Sequence, residues 1–511
     1  MQTLPPTPDE PLLLHGDCLD VLGTLPAASV DVVVTDPPAG IGFMSKPWDS
    51  FARYKPRTKR GREVDSMLGG GDLLARAANV LLGLSLSSVT EGLPARAEAA
   101  ALAEELRSAA RAEPLAPWAR GFVVFMVDVW SEVLRVLKPG GLVFAWALPK
   151  TSDLAGLAMR HAGLEMHETI THLFGQGMNK SWDIGKQIDK AAGAVREVVG
   201  PGPYANRGRV DTGATFGKWS SSAMEVITME VITAPATEAA KRWDGWHSQV
   251  APGCELWQVG RAPTPLTYAA QVQEHGCGAF NVGACRIPRG ERPARTTEGG
   301  NAVPDLGTQF STRGGRSIGT TEDGSHPRNV ILTTGGEGCP AEGLDRQSGE
   351  QRDGKATSRP GRGPFSSGDK TAPTVASPSY DGSGGASRYF TRFDEVVGYF
   401  PKADDRTIPG SHATNRHPTH KHVALMRWLV RLAAAKSEHT GGDPAIVLDC
   451  FMGSGPTGVA AVAERVRFIG IEQDPEHFAV ARARILGAIG STELAASANA
   501  DAPEGSQLSL L

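Results

Sequence analysis

The spacing of apolar and polar positions divides the chain into two regular ends and an irregular middle. Near the start, Leu12-Leu13-Leu14 precedes a helix-like stretch and then Val30-Asp31-Val32-Val33-Val34, which stops at Pro37-Pro38. This reads as strand, helix, strand. From Gly121 to Trp146 the pattern returns. Phe125, Val129, Val133 and Leu137 mark one helix face, Lys138-Pro139-Gly140-Gly141 predicts a turn, and Leu142 to Trp146 predicts a strand. Residues 421 to 487 predict helix 423–432, strand 445–448, helix 457–464, strand 467–471 and helix 475–485. Strands alternating with helices predict an α/β fold with a mainly parallel sheet.

Between about 196 and 398 the periodicity fades into runs such as D-G-S-G-G-A-S and R-P-G-R-G-P, with Trp243, Trp246, Trp257, Tyr389 and Phe390 interspersed. A structureless stretch this long inside an enzyme is more often functional than passive, so a recognition module is expected there. A second insert, 61–113, turns Ala/Glu/Arg-rich from Ala95 to Ala112 and predicts one surface helix, while the Ala/Ser-rich tail 489–511 is expected to be disordered.

Composition gives these irregular stretches their material. The 61 glycines and 36 prolines make about 19% of 511 residues, against about 12% in average proteins. A formal net charge of -4, from 52 Lys and Arg against 56 Asp and Glu, excludes a wholly basic nucleic-acid binder but not a local basic cleft. Residues 286–370 hold basic and acidic side chains in near balance, so no polybasic tract runs through the middle. The six cysteines form no C-x-x-C pair, which points away from a zinc site or a disulfide framework and towards reduced thiols. No metal is expected. No apolar run approaches the roughly 18 residues of a membrane helix, and the first residues do not read as a signal peptide. A cytoplasmic protein without membrane contact is therefore expected.

Candidate chemistry sits where predicted strands end. Val447-Leu448-Asp449 runs into Cys450-Phe451-Met452-Gly453-Ser454-Gly455-Pro456-Thr457-Gly458, a glycine-rich turn opening a helix, and about twenty residues later Phe468 to Ile471 ends in Glu472. A glycine turn lets backbone approach a ligand, and an acid at the tip of the next strand suits two ribose hydroxyls, so a nucleoside cofactor is expected. No G-K-[ST] follows, which disfavours a P-loop. At the end of the second strand Asp36-Pro37-Pro38 combines a carboxylate with a rigid turn whose carbonyls are free to accept. Such a pair can take both protons of an exocyclic amino group and aim its lone pair outward.

Together these segments resemble the β class of S-adenosylmethionine-dependent DNA amino-methyltransferases. Asp36-Pro37-Pro38-Ala39 resembles the D-P-P-[YFW] catalytic motif, Phe451-Met452-Gly453-Ser454-Gly455 the F-x-G-x-G cofactor motif, and His417-Pro418-Thr419-His420-Lys421-His422 the H-P-T-x-K-P segment. Leu14 to Cys18 resembles the G-D-C strand end, and Gly175 to Ser181 the G-x-G-F-P-K-S segment of phage and bacterial members. The order, catalytic motif first and cofactor motif last, distinguishes the class. The D-P-P-A-G-I subgroup within it is similar through Phe43-Met44-Ser45-Lys46-Pro47-Trp48-Asp49.

The resemblance implies a Rossmann-like methyltransferase sheet assembled from both chain ends: a catalytic half, 10–195, a target-recognition module, 196–398, and a cofactor-binding half, 399–488. It implies Asp36, Pro37 and Pro38 as catalytic residues, and Asp17, Cys18, Asp36, His417, Thr419, Lys421, Asp449, Phe451, Gly453, Ser454, Gly455, Thr457 and Glu472 at the S-adenosylmethionine site. The implied substrate is double-stranded DNA, with a flipped base methylated directly on its amino nitrogen, and a cognate restriction endonuclease is a possible partner. Asp at the first catalytic position is typical of N6-adenine enzymes; N4-cytosine methylation and an inactive DNA-binding pseudoenzyme are the alternatives. Ala39 departs from the usual aromatic that stacks on the flipped base, so Phe43 or Trp48 is expected to stack instead; His422 and Cys450 stand where proline is usual.

Overall fold

The computed structural model describes residues 2–40, 49–68, 115–174, 181–201, 231–287, 292–295, 317–321, 325–334, 339–352, 358–360, 374–376, 383–394 and 421–500. Ten strands form one sheet: β1 (Leu12–His15), β2 (Val30–Thr35), β3 (Leu137–Ala147), β4 (Glu165–Met166), β5 (Ile170–Leu173), β6 (Cys254–Arg261), β7 (Val330–Thr334), β8 (Thr391–Asp394), β9 (Ile446–Asp449) and β10 (Arg467–Glu472). Their order is β1-β10-β9-β2-β3-β6-β5-β7-β8, with β4 also paired to β6. Every pairing is parallel except those made by β6, which runs antiparallel to β3, β4 and β5.

The two chain ends interleave within this sheet. β9 and β10 sit between β1 and β2, pairing Leu448 with Val33 on one side and Leu14 with Ile471 on the other. Residues Val32, Val33, Val34, Val447, Leu448 and Ile469 are fully buried. Helices cover both faces, which is why these strands read as near-continuous apolar runs rather than as an alternation. One face carries α1 (Cys18–Leu22), α2 (Lys59–Leu68), α3 (Pro117–Val136) and α4 (Ser152–Ala162), which share a core with Val33, Leu448 and Ile471. The other carries α5 (Val423–Ala433), α6 (Pro456–Ala463) and α7 (Pro475–Ala500), sharing a core with Val32, Val34, Val447 and Phe468.

Several expectations change. Leu137 to Gly141 belongs to β3 rather than to a helix end and turn; Gly140 takes φ +72, and the pairing with β2 slips between Val30 and Val32. Residues 61–68, expected to open a surface insert, continue α2 and pack inward. A Cβ on Gly61 would lie 1.9 Å from the carboxylate of Asp128, a fully buried residue of α3 that accepts from the Tyr54 hydroxyl at 2.7 Å. The surface helix expected at Ala95 to Ala112 lies outside the described residues.

The 196–398 segment does not stand apart as one module. It contributes β6, β7 and β8 to the central sheet, and Trp257 and Ile331 are fully buried in the second core. The short patterns of these strands, each preceded by irregular chain, hid them. The stretch expected to be a disordered tail is helical as far as Ala500. Alanine, the best helix former, propagates a helix already nucleated at Pro475. No helix of the described residues is long and apolar enough to cross a membrane.

Candidate active site at the strand ends

The chain leaves β9 towards β10 through α6 on one face, and leaves β2 towards β3 through α3 on the other. The boundary between β9 and β2 is thus a topological switch point, and ligands of open α/β sheets bind outside the carboxyl ends of the strands at such a point. Asp449 ends β9 and Asp36 follows β2 there, while Glu472 ends β10 alongside.

The three carboxylates have different surroundings. Asp449 is buried, accepting from Thr35 Oγ1 and Thr457 Oγ1, each at 2.6 Å, and from the Phe451 N–H at 3.1 Å. The Thr35 bond spans the switch point. Burial pushes the Asp449 carboxyl up to about 7, against the pull of these donors and with the nearby Asp36 charge adding to the rise. Glu472 accepts from the Gly453 N–H with Oε2 and from the Asp474 N–H with Oε1, both at 2.8 Å, which fixes the glycine turn beneath its carboxylate. Gly453 takes φ +54, a backbone conformation costly for other residues. Burial raises the Glu472 carboxyl as well.

Asp36 receives the Lys421 ammonium on Oδ2 at 2.8 Å. Burial raises its carboxyl above the ordinary range in spite of that cation, and the Glu255 charge adds to the rise. Among the described residues no donor reaches Oδ1 or the Pro37 carbonyl. The turn after Asp36 is held at two points: Thr151 Oγ1 donates to the Ala39 carbonyl at 2.8 Å, and the Gly40 N–H donates to the buried Asp49 at 2.6 Å. Gly40 takes φ +72, and a Cβ there would meet Phe122 at 2.6 Å.

Beyond Asp36, away from β9, lies Lys421, expected at the S-adenosylmethionine site, among residues that the sequence did not single out. Lys421 is itself buried and sits 4.0 Å over the Trp146 ring. Glu255, at the start of β6, faces His172 Nδ1 at 3.9 Å, and His172 Nε2 lies 2.7 Å from Thr333 Oγ1. Burial would raise the Glu255 carboxyl, but the Lys421 ammonium and His172 outweigh it and hold the group at about 2. Trp146, His172, Glu255 and Thr333 lie in strands far apart in sequence, and no local motif marks them.

The remaining expected site residues divide. Asp17 caps α1, its Oδ1 accepting from Leu19 N–H at 3.0 Å and pairing with Arg57 at 2.9 Å. Cys18 is buried in the first core. Ser454 turns inward, its carbonyl accepting from Arg484 of α7 at 2.7 Å. Gly455, at φ +79, allows close packing: a Cβ would lie 3.0 Å from Ala481. Phe451 is half-buried beside Phe125. Pro38 is half-buried and Pro37 buried. Phe43, Trp48, His417 and Thr419 lie outside the described residues.

Among known proteins, the type II methyltransferase M.BglI of Bacillus subtilis is 41% identical over 70 residues, 14% of this chain. The chain spans only 18% of the length of that relative. Two solved structures are similar at low identity. A putative DNA modification methylase from Thermus thermophilus shares 13% identity with a TM-score of 0.32, over 93% of this chain and 94% of that one. The cytosine-N4-specific PvuII DNA methyltransferase shares 10% with a TM-score of 0.33, over 94% of this chain and 90% of that one. Over residues 374–483, which include Lys421, Asp449 and Glu472, the chain matches the model of the N6/N4 DNA methylase family.

Proposed function

We propose that this chain is a DNA methyltransferase that transfers a methyl group from S-adenosylmethionine to the exocyclic N6 of adenine in double-stranded DNA. The observation that carries the reading is Asp36 at the switch point of the sheet: a carboxylate with Oδ2 fixed by Lys421, while no donor among the described residues reaches Oδ1 or the Pro37 carbonyl. The family match over 374–483 and the M.BglI similarity support methylation of DNA.

The donor set suits the cofactor. Glu472 stands at the tip of the second strand, where a carboxylate accepts ribose hydroxyls, and its two oxygens already lock the Gly453 turn. When bound, S-adenosylmethionine supplies a sulfonium methyl that a nitrogen lone pair can displace in line. Asp449, bridged by Thr35 and Thr457, holds the two motif loops together. The target base leaves the stack to reach the strand ends. Asp36 Oδ1 and the Pro37 carbonyl would accept hydrogen bonds from the two amino N–H groups and aim the lone pair outward. As the nitrogen takes the methyl, the donor would leave as a neutral thioether and one amino proton would be lost along the Asp36 hydrogen bond or to solvent; no covalent intermediate is needed.

In this reading Phe43 or Trp48 stacks on the base, and His417 and Thr419 adjoin the cofactor. The parts of 196–398 outside the sheet contact DNA; a cognate restriction endonuclease is a candidate partner and the cytoplasm the compartment. Adenine is preferred to cytosine because the first catalytic residue is Asp. Expression in a methylation-free host with modification-sensitive sequencing tests the reading. N6-methyladenine in one sequence context is expected, N4-methylcytosine would reassign the base, and an unmodified genome would overturn it.

A further inference from the structure

We propose that Lys421 is a positioning residue for Asp36, set in place by Glu255 of β6, so that Oδ2 is permanently occupied and Oδ1 alone is presented to the substrate amino group. The inference rests on the transfer reading above and adds Glu255, Trp146 and His172, which that reading does not use.

Lys421 Nζ is 2.8 Å from Asp36 Oδ2, and its side chain is only 7% exposed. A buried ammonium needs compensating charge or it loses its proton. One partner is Asp36. Glu255 on β6 adds a second negative charge within the field of the ammonium, and Lys421 with His172 holds Glu255 ionised. Trp146 lies under the ammonium at 4.0 Å, and a cation over an aromatic face is attracted to it. Lys421 is thereby confined between two strands, β3 and β6, and the turn after β2. His172 is fixed in turn, lying 2.7 Å from Thr333 Oγ1 of β7. The positioning set therefore draws on strands from the middle of the chain.

The consequence is electrostatic. Among the described residues, the charged or titratable groups coupled to Asp36 are Lys421, Glu255 and, across the switch point, Asp449. Asp36 accepts the amino hydrogen bond most strongly when ionised. Activity should then rise with pH through its pKa, which Lys421 lowers and Glu255 raises. Removing each charge should displace the acidic limb in opposite directions.

The test is the pH profile of kcat/KM for methyl transfer in the full-length protein, with Lys421→Met, Lys421→Arg and Glu255→Gln. Lys421→Met should move the acidic limb up by about 1–3 pH units, lower kcat, and leave the Kd for S-adenosylmethionine within about twofold. Lys421→Arg should restore most of the limb position, and Glu255→Gln should move it down. A stationary limb with cofactor affinity lost tenfold in Lys421→Met would make Lys421 a cofactor contact and overturn the proposal, as would an upward or absent shift in Glu255→Gln. Infrared difference spectra of the unliganded chain, with the Asp36 carboxyl band assigned by Asp36→Asn, read the same shifts without turnover. Band shifts in the expected directions with no methylation of any DNA would sink the transfer reading and keep the electrostatic arrangement; unmoved bands would sink the arrangement whatever the activity.

Discussion

Asp36 has two oxygens in unlike surroundings, one held by a buried ammonium and one that no donor among the described residues reaches, and this asymmetry sets what single substitutions should do. Asp36→Asn replaces an anionic acceptor with an amide and removes the carboxylate that pairs with Lys421 at 2.8 Å. Methyl transfer should fall by at least about a hundredfold, the scale of losing one oriented group at a reacting centre. Cofactor affinity, measured by calorimetry, should stay near wild type because Glu472 and Asp449 are untouched.

Asp449 makes a different prediction. Its carboxyl is raised to about 7 in the folded chain by burial, so the folded state holds a proton that the unfolded state has lost. Stability from this residue is then fully present below the ordinary carboxylate range and falls as pH rises towards about 7. Asp449→Asn does not titrate. The melting temperature of wild type minus that of Asp449→Asn should therefore be smaller at pH 7.5 than at pH 4.5; an increase with pH would refute the assignment. Most of these residues were legible in the sequence, because Asp36, Asp449 and Glu472 each end an apolar run. Their states were not, since burial, a distant lysine and a neighbouring carboxylate set the charges.

At the scale of elements, the glycine-rich segment after β9 has two duties. Gly453 turns the backbone under Glu472, as the motif suggests. Gly458 instead lets α6 lie against α7: a Cβ there would fall 2.3 Å from Ile485, a fully buried side chain. Gly458→Ala should destabilise the chain by about 1–3 kcal/mol through overpacking. Ile485→Val in the same chain should recover part of that loss, a coupling readable in a denaturant double-mutant cycle. A helix–strand pattern reveals that such a glycine lies in a helix, but not which neighbour presses on it. The same limit explains why α2 reads from sequence as part of an insert. Its inward face is set by Asp128 of α3, and residue spacing within α2 alone carries no trace of that partner.

For the whole molecule, the sheet joins three parts of the chain. β6 is the hinge of this arrangement, antiparallel between β3 and β5, and Trp257 at its centre is fully buried against the same core as Val34, Phe144 and Trp428. Trp257→Ala should cost about 3–5 kcal/mol, as large buried aromatics do. If the sheet is one cooperative unit, denaturant unfolding should keep a single transition at lower midpoint. Separate transitions for the two sheet halves would show instead that the middle strands fold independently.

The sequence by itself determined the alternating strands and helices at both ends, the loops that terminate them, and the chemistry of the motif residues. These depend on local periodicity, on proline and glycine backbone limits, and on which side chains carry charge. Only the tertiary structure decided that β9 and β10 lie between β1 and β2, that β6, β7 and β8 extend the same sheet, and that Lys421 pairs with Asp36 in the field of Glu255. Strand order and buried charge pairing join residues hundreds of positions apart. They follow from how faces pack and how ions are compensated, and neither leaves a spacing to read along the chain.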